Sequence, residues 1–247
     1  MDKEEESFYI VAYESGAENS TIETWSCEKQ NVVGLADIHT KKIKRVEVEG
    51  VDGAFQLLNV LSNEECLRFR EISESVGYIP DAAVSLPRSV RHNDSLTWVV
   101  DKKLHDIIWS RCESFMQDEA NIFHGKKPLG LNQRFRFYKY SEGDYFSLHT
   151  DGAWPGSAVE NRRLISNAYP DRFSKMTFLL FLSDAFSGGE TSFLVDEKNS
   201  KTIDVRTPIG GVLCFPHGMH PLHSLHSSKE ISRGVKYIIR SDVLYER

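Results

Sequence analysis

From Asn132 onward the chain consists of short apolar stretches set off by turn residues: Arg134–Tyr140, Tyr145–His149, Lys175–Leu182, Thr191–Val195, Lys201–Val205, Gly211–Phe215 and Val235–Ser241. Runs of about four to eight residues bounded by Gly, Pro, Asp and Ser read as strands. Their number and brevity point to a sandwich or jelly roll. Upstream the period changes. Ser62 and Glu65 have the spacing of a capping box, and Leu67, Ile72 and Val76 follow at helical intervals until Gly77. A second helix is predicted from near Asp101, with Leu104, Ile107, Ile108, Cys112 and Phe115 on its buried stripe. Helices first and strands afterwards predict an α+β chain with the helices packed on one sheet. No internal repeat is visible.

The start of the chain differs in texture. Phe8–Tyr13 reads as a strand, Glu14–Asn31 as a polar loop, and the basic run Thr40–Arg45 as a solvated strand edge. We therefore expect residues 1–48 to be a divergent extension and residues 49–247 to form one large domain, a size that barrels and sandwiches reach unsplit. The net charge of −6 argues against general binding to nucleic acid or acidic lipid. Cys27, Cys66, Cys112 and Cys214 are spread too widely for a C-x-x-C site and read as reduced thiols. The acidic start Met1–Ser7 lacks a signal-peptide core, and no apolar run approaches the ~18 residues of a membrane span. The expectation is a soluble protein of the cytoplasm or nucleus that engages no membrane.

Candidate chemistry centres on His149 and Asp151. Two apart in a strand, they project from the same face. Imidazole with carboxylate, and no cysteine nearby, suits Fe(II) better than thiolate zinc chemistry. Alone, an H-x-D pair is common and reads first as a capped surface histidine. A further ligand must come from Pro216–His226, which offers His217, His220, His223 and His226; Pro216, Gly218 and Pro221 oppose a helix that would align all four.

Four stretches, taken in order, carry a family resemblance. Phe137-Tyr-Lys-Tyr-Ser-Glu-Gly-Asp-Tyr-Phe-Ser-Leu-His-Thr-Asp151 matches R-Y-x-x-G-x-x-Y/F-x-x-H-x-D. Met176–Asp184 matches T-x-L-x-Y-L-S-D, and Gly188–Phe193 matches G-G-E-T-x-F. His226 followed by Lys236-Tyr-Ile-Ile-Arg-Ser-Asp242 matches H…G-x-K-Y-x-x-R-x-D. The C-terminal strands thus resemble the prolyl 4-hydroxylase branch of the Fe(II)/2-oxoglutarate dioxygenases, with a weaker similarity reaching back to the Ser62 helix.

The resemblance implies a double-stranded β-helix (jelly roll) binding Fe(II) through His149, Asp151 and His226, with His223 as the reserve because Ser227-Ser228 replace the family's Glu-Gly. It implies that Lys236, Tyr140 and Thr177 hold the distal carboxylate of 2-oxoglutarate. Dioxygen is then the other co-substrate, ascorbate a candidate cofactor, and hydroxylation of a C–H bond the reaction. A prolyl residue of an intracellular protein or peptide is the leading substrate. A small molecule, or a non-catalytic binding module on the same barrel, are the alternatives. On the substrate side, strand alternation sends Arg136 and Tyr138 inward with Tyr140. Trp154, in the long segment after Asp151, and Arg91 and Asn93 are candidate rim contacts; Glu190 reads as structural. The oligomeric state is open.

Overall fold

The structure, a computed structural model, describes residues 7–39, 41–83, 86–117 and 121–247. Residues 1–6 of the acidic start and Thr40 of the basic run lie outside them. The chain opens with β1 (Phe8–Glu14), β2 (Ile22–Cys27), β3 (Lys44–Glu47) and β4 (Phe55–Leu58), then helix α1 (Asn63–Val76). β5 (Arg91–His92) and β6 (Asp94–Val99) precede α2 (Lys102–Cys112), which ends in a 3-10 turn, Glu113–Phe115. The remainder is strand: β7 (Pro128–Leu131), β8 (Arg134–Tyr140), β9 (Tyr145–His149), β10 (Ala158–Glu160), β11 (Arg163–Ile165) and β12 (Arg172–Phe181). β13 (Phe186–Gly188), β14 (Thr191–Asp196), β15 (Lys201–Val205), β16 (Val212–Pro216), β17 (His226–Ser228), β18 (Ile231–Gly234) and β19 (Lys236–Glu246) complete it.

A ten-stranded sheet runs β1-β2-β6-β8-β19-β12-β16-β4-β3, with β7 also on β19, and a five-stranded sheet runs β15-β14-β17-β9-β5. Alternation along the strands decides what each face of the large sheet meets. Phe135, Phe137, Phe178, Leu180, Cys214 and Ile239 join Phe69 and Ile72 of α1 and Leu104, Ile108 and Cys112 of α2 in one buried cluster. Their neighbours Tyr138, Tyr140, Leu179, Phe215 and Ile238 join Phe146 and Phe193 of the small sheet in a second. The helices therefore cover one face of the large sheet and the small sheet covers the other. Among the described residues the protein is mostly β-sheet with two α-helices.

Both helices start where the sequence predicts, at the Ser62 capping box and at Asp101. Ser62 Oγ accepts from Glu65 N–H while the Glu65 carboxylate accepts from Ser62 N–H, and Asp101 accepts from Leu104 N–H at 3.0 Å. Ile72 and Val76 of α1 pack on the core as expected, but Leu67 does not. Leu67 is 44% exposed, whereas Glu65 is buried. Arg111 of α2 explains this: its guanidinium meets both Glu65 oxygens at 2.8 and 2.9 Å and also donates to Ala36 O and Val60 O. Phe115 likewise falls in the 3-10 turn, half-buried, and not on the α2 stripe.

A second difference is β2, which lies inside the stretch read as a loop. Its inward residues, Thr24 and Ser26, are polar yet buried, and Ser26 Oγ donates to Val99 O at 2.9 Å. Thr24 Oγ1 donates to the Glu14 carboxylate, and a strand that buries hydroxyls on partners supplied by β1 and β6 has little apolar alternation to reveal it. β3 is exposed along its length, as the solvated-edge reading expected.

Candidate metal centre

β9 and β17 are neighbours in the small sheet, and His149 pairs directly with His226. Asp151 follows β9 by two residues and turns back between them. One donor atom from each of the three residues lies within 4.8 Å of the others, within the span of a single cation. His149 Nε2 is 3.8 Å from Asp151 Oδ1, and His226 Nε2 is 3.8 Å from Asp151 Oδ2.

The imidazoles are oriented by their own backbone. His149 Nδ1 is 2.8 Å from Ser147 O and His226 Nδ1 is 3.0 Å from Ser224 O. A carbonyl can only accept, so each Nδ1 carries the proton and each Nε2 presents its lone pair inward. Burial, and then His226, pushes the His149 imidazole down to about 4; burial lowers His226 as well, against the pull of Asp151. Both rings are thus neutral at physiological pH. Burial works to raise the Asp151 carboxyl, but Arg240 at 3.3 Å and the imidazoles hold it far below the usual carboxylate range.

Asp151 is held from behind by a chain of hydrogen bonds whose direction can be assigned throughout. Its Oδ2 accepts from Thr177 Oγ1 at 2.7 Å. Thr177 Oγ1 must then accept from His217 Nδ1 at 2.9 Å, leaving His217 Nε2 to accept from Ser174 Oγ at 3.0 Å. Ser174 Oγ in turn accepts from Trp154 N–H at 2.6 Å. Arg240 adds a hydrogen bond to Asp242 at 3.1 Å.

This corrects the expectation for Thr177. It pairs with Asp242 on β19, six positions along the strand from Lys236, and its hydroxyl serves Asp151. The structure does not bring it to the lysine. Lys236 and Tyr140, by contrast, are direct partners across β19 and β8, with the ammonium 5.1 Å from the ring centroid. Lys236 is 1% exposed and donates to Gly189 O at 2.7 Å and Ser228 Oγ at 2.8 Å. Burial, then Arg206, pushes its ammonium down to about 7, and burial pushes the Tyr140 phenol up.

A cavity of about 450 Å³ joins these groups, lined by His149, Asp151, His226, Lys236, Tyr140 and Arg240 among others. Arg91, Tyr138 and Trp154 also line it. Asn93 does not: it is buried, with Nδ2 donating to Asp94 O. Arg136 is not among the lining residues either: it is buried beneath the ring of Trp154, which lines the cavity, and opposite Arg240, which does too. His223 sits exposed in its loop with Nδ1 against His220 O, so His226 is the histidine brought to the other two. Glu190 meets Arg206 at 3.4 Å on the outside.

Sequence reasoning passed over Arg240 and His217 as parts of the centre. Arg240 shares a strand face with Lys236 by simple alternation, which could have found it. His217 stands in a histidine-rich loop, and nothing local separates it from its neighbours.

No family model matches the sequence. Solved structures do resemble it. One is a collagen prolyl hydroxylase of Paramecium Bursaria Chlorella virus-1 in complex with 2OG, 17% identical over 78% of this chain and 96% of that one, with a TM-score of 0.50. A prolyl-4-hydroxylase of Pseudomonas putida is 14% identical over 79% and 92%, with a TM-score of 0.51. A Trichoplax adhaerens prolyl hydroxylase, in complex with a peptide fragment of the hypoxia inducible factor oxygen degradation domain, is 15% identical over 78% and 83%, with a TM-score of 0.51. At these identities the likeness is one of architecture, and the chain shares the fold of the prolyl hydroxylases.

Proposed function

We propose that the protein is an Fe(II)- and 2-oxoglutarate-dependent dioxygenase that hydroxylates a C–H bond, built on a double-stranded β-helix. One observation carries the reading: two neutral imidazoles and a carboxylate converge at one end of a cavity whose other end holds a buried lysine with no carboxylate partner among the described residues. The donor set fits the metal. Both Nε2 lone pairs are free because both Nδ1 protons are engaged, and a two-histidine, one-carboxylate face with open positions opposite suits non-haem Fe(II). The tethering of each ligand from behind is the arrangement metal sites require.

When bound, the metal supplies the activation of dioxygen with 2-oxoglutarate as the electron source. The chain supplies binding and orientation. Lys236 offers a charge-assisted hydrogen bond to one carboxylate of the dicarboxylate, worth about 1.5–3 kcal/mol. Tyr140 stands beside it as a second donor, and Phe181 and Ile238 keep water away. Arg240 and Thr177 keep Asp151 ionised and aimed. We assign the oxygenase unit to residues 49–247, with Ser15 of the preceding extension reaching the cavity lining.

The leading substrate remains a prolyl residue of a protein or peptide. Support comes from the fold shared with prolyl hydroxylases, one of them holding a peptide. The deciding experiment is succinate formation from 2-oxoglutarate by purified protein with Fe(II), ascorbate and a panel of prolyl peptides, beside an Asp151→Ala control. Succinate formation that vanishes in the control is expected. Absence of both turnover and 2-oxoglutarate binding in the parent protein would leave a non-catalytic module.

A further inference from the structure

We propose that the substrate carries a carboxylate, and that Arg136 and Arg240 read it beneath Trp154. The inference rests on the oxygenase reading, since it gives Lys236 to 2-oxoglutarate and Asp151 to the metal.

β8 and β19 run antiparallel, side by side along the cavity. Lys236, Ile238 and Arg240 pair with Tyr140, Tyr138 and Arg136, all on the face turned to the small sheet. Four residue steps along the strand separate Lys236 from Arg240, roughly 13 Å at ~3.3 Å per step. A dicarboxylate held at Lys236 and reaching the metal beside Asp151 therefore leaves the arginine end for the substrate.

With a divalent metal on Asp151, that end holds more positive charge than the protein itself balances. Arg136 and Arg240 stand directly opposite each other and are both buried, an arrangement that like charges oppose. Arg240 has Asp151 at 3.3 Å and Asp242 at 3.1 Å. Arg136 has no ion pair among the described residues, and its Nε and Nη1 lack hydrogen-bond partners although it is 5% exposed. Glu14, the next carboxylate, is taken by Arg134 at 2.7 Å. Once a divalent metal claims Asp151, Asp242 is left facing two guanidinium groups.

An arginine in this position seeks an acceptor, and its planar fork matches a carboxylate. Trp154 covers it, with the ring centroid 5.1 Å from the guanidinium carbon. That side chain is 38% exposed and belongs to a stretch, residues 150–157, without regular secondary structure. It can yield to a ligand and then stack on it.

The carboxylate could belong to a free acid or to an acidic side chain of a peptide, and matched probes separate the two. Protein loaded with Mn(II) is titrated with 2-oxoglutarate by calorimetry, then with acetyl-Pro-Glu amide against acetyl-Pro-Gln amide, and with N-acetylproline against its amide. The acidic member of at least one pair is expected to bind tenfold or more tighter. Arg136→Gln erases that preference, and Arg136→Lys, which keeps the charge without the fork, gives an intermediate one. Equal binding within both pairs, or a preference that survives in Arg136→Gln, overturns the proposal. The first titration reports separately on the oxygenase reading and shows whether each variant is folded: 2-oxoglutarate affinity stays the same in both variants.

Discussion

His149 and His226 face each other directly across β9 and β17, with ring centroids 4.2 Å apart, and each donates Nδ1–H to the carbonyl two residues before it. The same short-range tether thus occurs twice on neighbouring strands. Register does the rest, because directly opposed residues of an antiparallel pair share a face.

The choice among the loop histidines is testable by metal binding alone. His226→Ala should weaken Mn(II) binding, followed by electron paramagnetic resonance, by more than about 100-fold. His223→Ala, which alters an exposed ring, should leave it unchanged. Loss of metal in His223→Ala with retention in His226→Ala would reverse the assignment.

Thr177→Val removes the hydroxyl between Asp151 and His217 at little change in volume. Supporting groups of this kind are worth about 10–100-fold in metal affinity. With metal saturating, 2-oxoglutarate affinity should match that of the parent. A selective loss of 2-oxoglutarate binding would return Thr177 to the co-substrate carboxylate.

Lys236 gives 2-oxoglutarate binding a pH dependence with a definite sign. Its ammonium titrates at about 7 in the free protein because burial opposes the charge. A bound carboxylate favours the charged form, so complex formation above pH 7 must take up a proton. Affinity should therefore fall as pH rises from 7 to 9, by up to about tenfold per unit. Calorimetry in buffers of different ionisation enthalpy reads the uptake directly. Lys236→Met should abolish the dependence and weaken binding about 10–150-fold.

The Glu65–Arg111 pair ties α1 to α2, and both side chains are buried. Glu65→Ala strands the guanidinium and should cost about 3–5 kcal/mol in denaturant unfolding. Burial raises the Glu65 carboxyl, but the Arg111 and Ser62 hydrogen bonds outweigh it and leave it below its usual value. A carboxyl lowered by folding stabilises fully above its unfolded value, about 4.3. That contribution is lost as pH falls below it, so the parent and variant should converge in acid.

The sequence by itself determined the local features. Strand alternation placed Tyr138 and Tyr140 on one face and Phe135 and Phe137 on the other. Side-chain chemistry at short range marked the cap at Ser62 and set His149 beside Asp151. Only the tertiary structure decided which residues meet across strands. It seated His226, already favoured over His223 by the family resemblance, against His149 and Asp151, turned Thr177 toward Asp151 instead of Lys236, and set Arg240 beside Arg136. It also made a strand of Ile22–Cys27 and buried Glu65 in place of Leu67. The reason is the same in each case. Periodicity specifies a face, but a buried hydroxyl, carboxylate or imidazole is stable only against a partner, and long-range register chooses that partner.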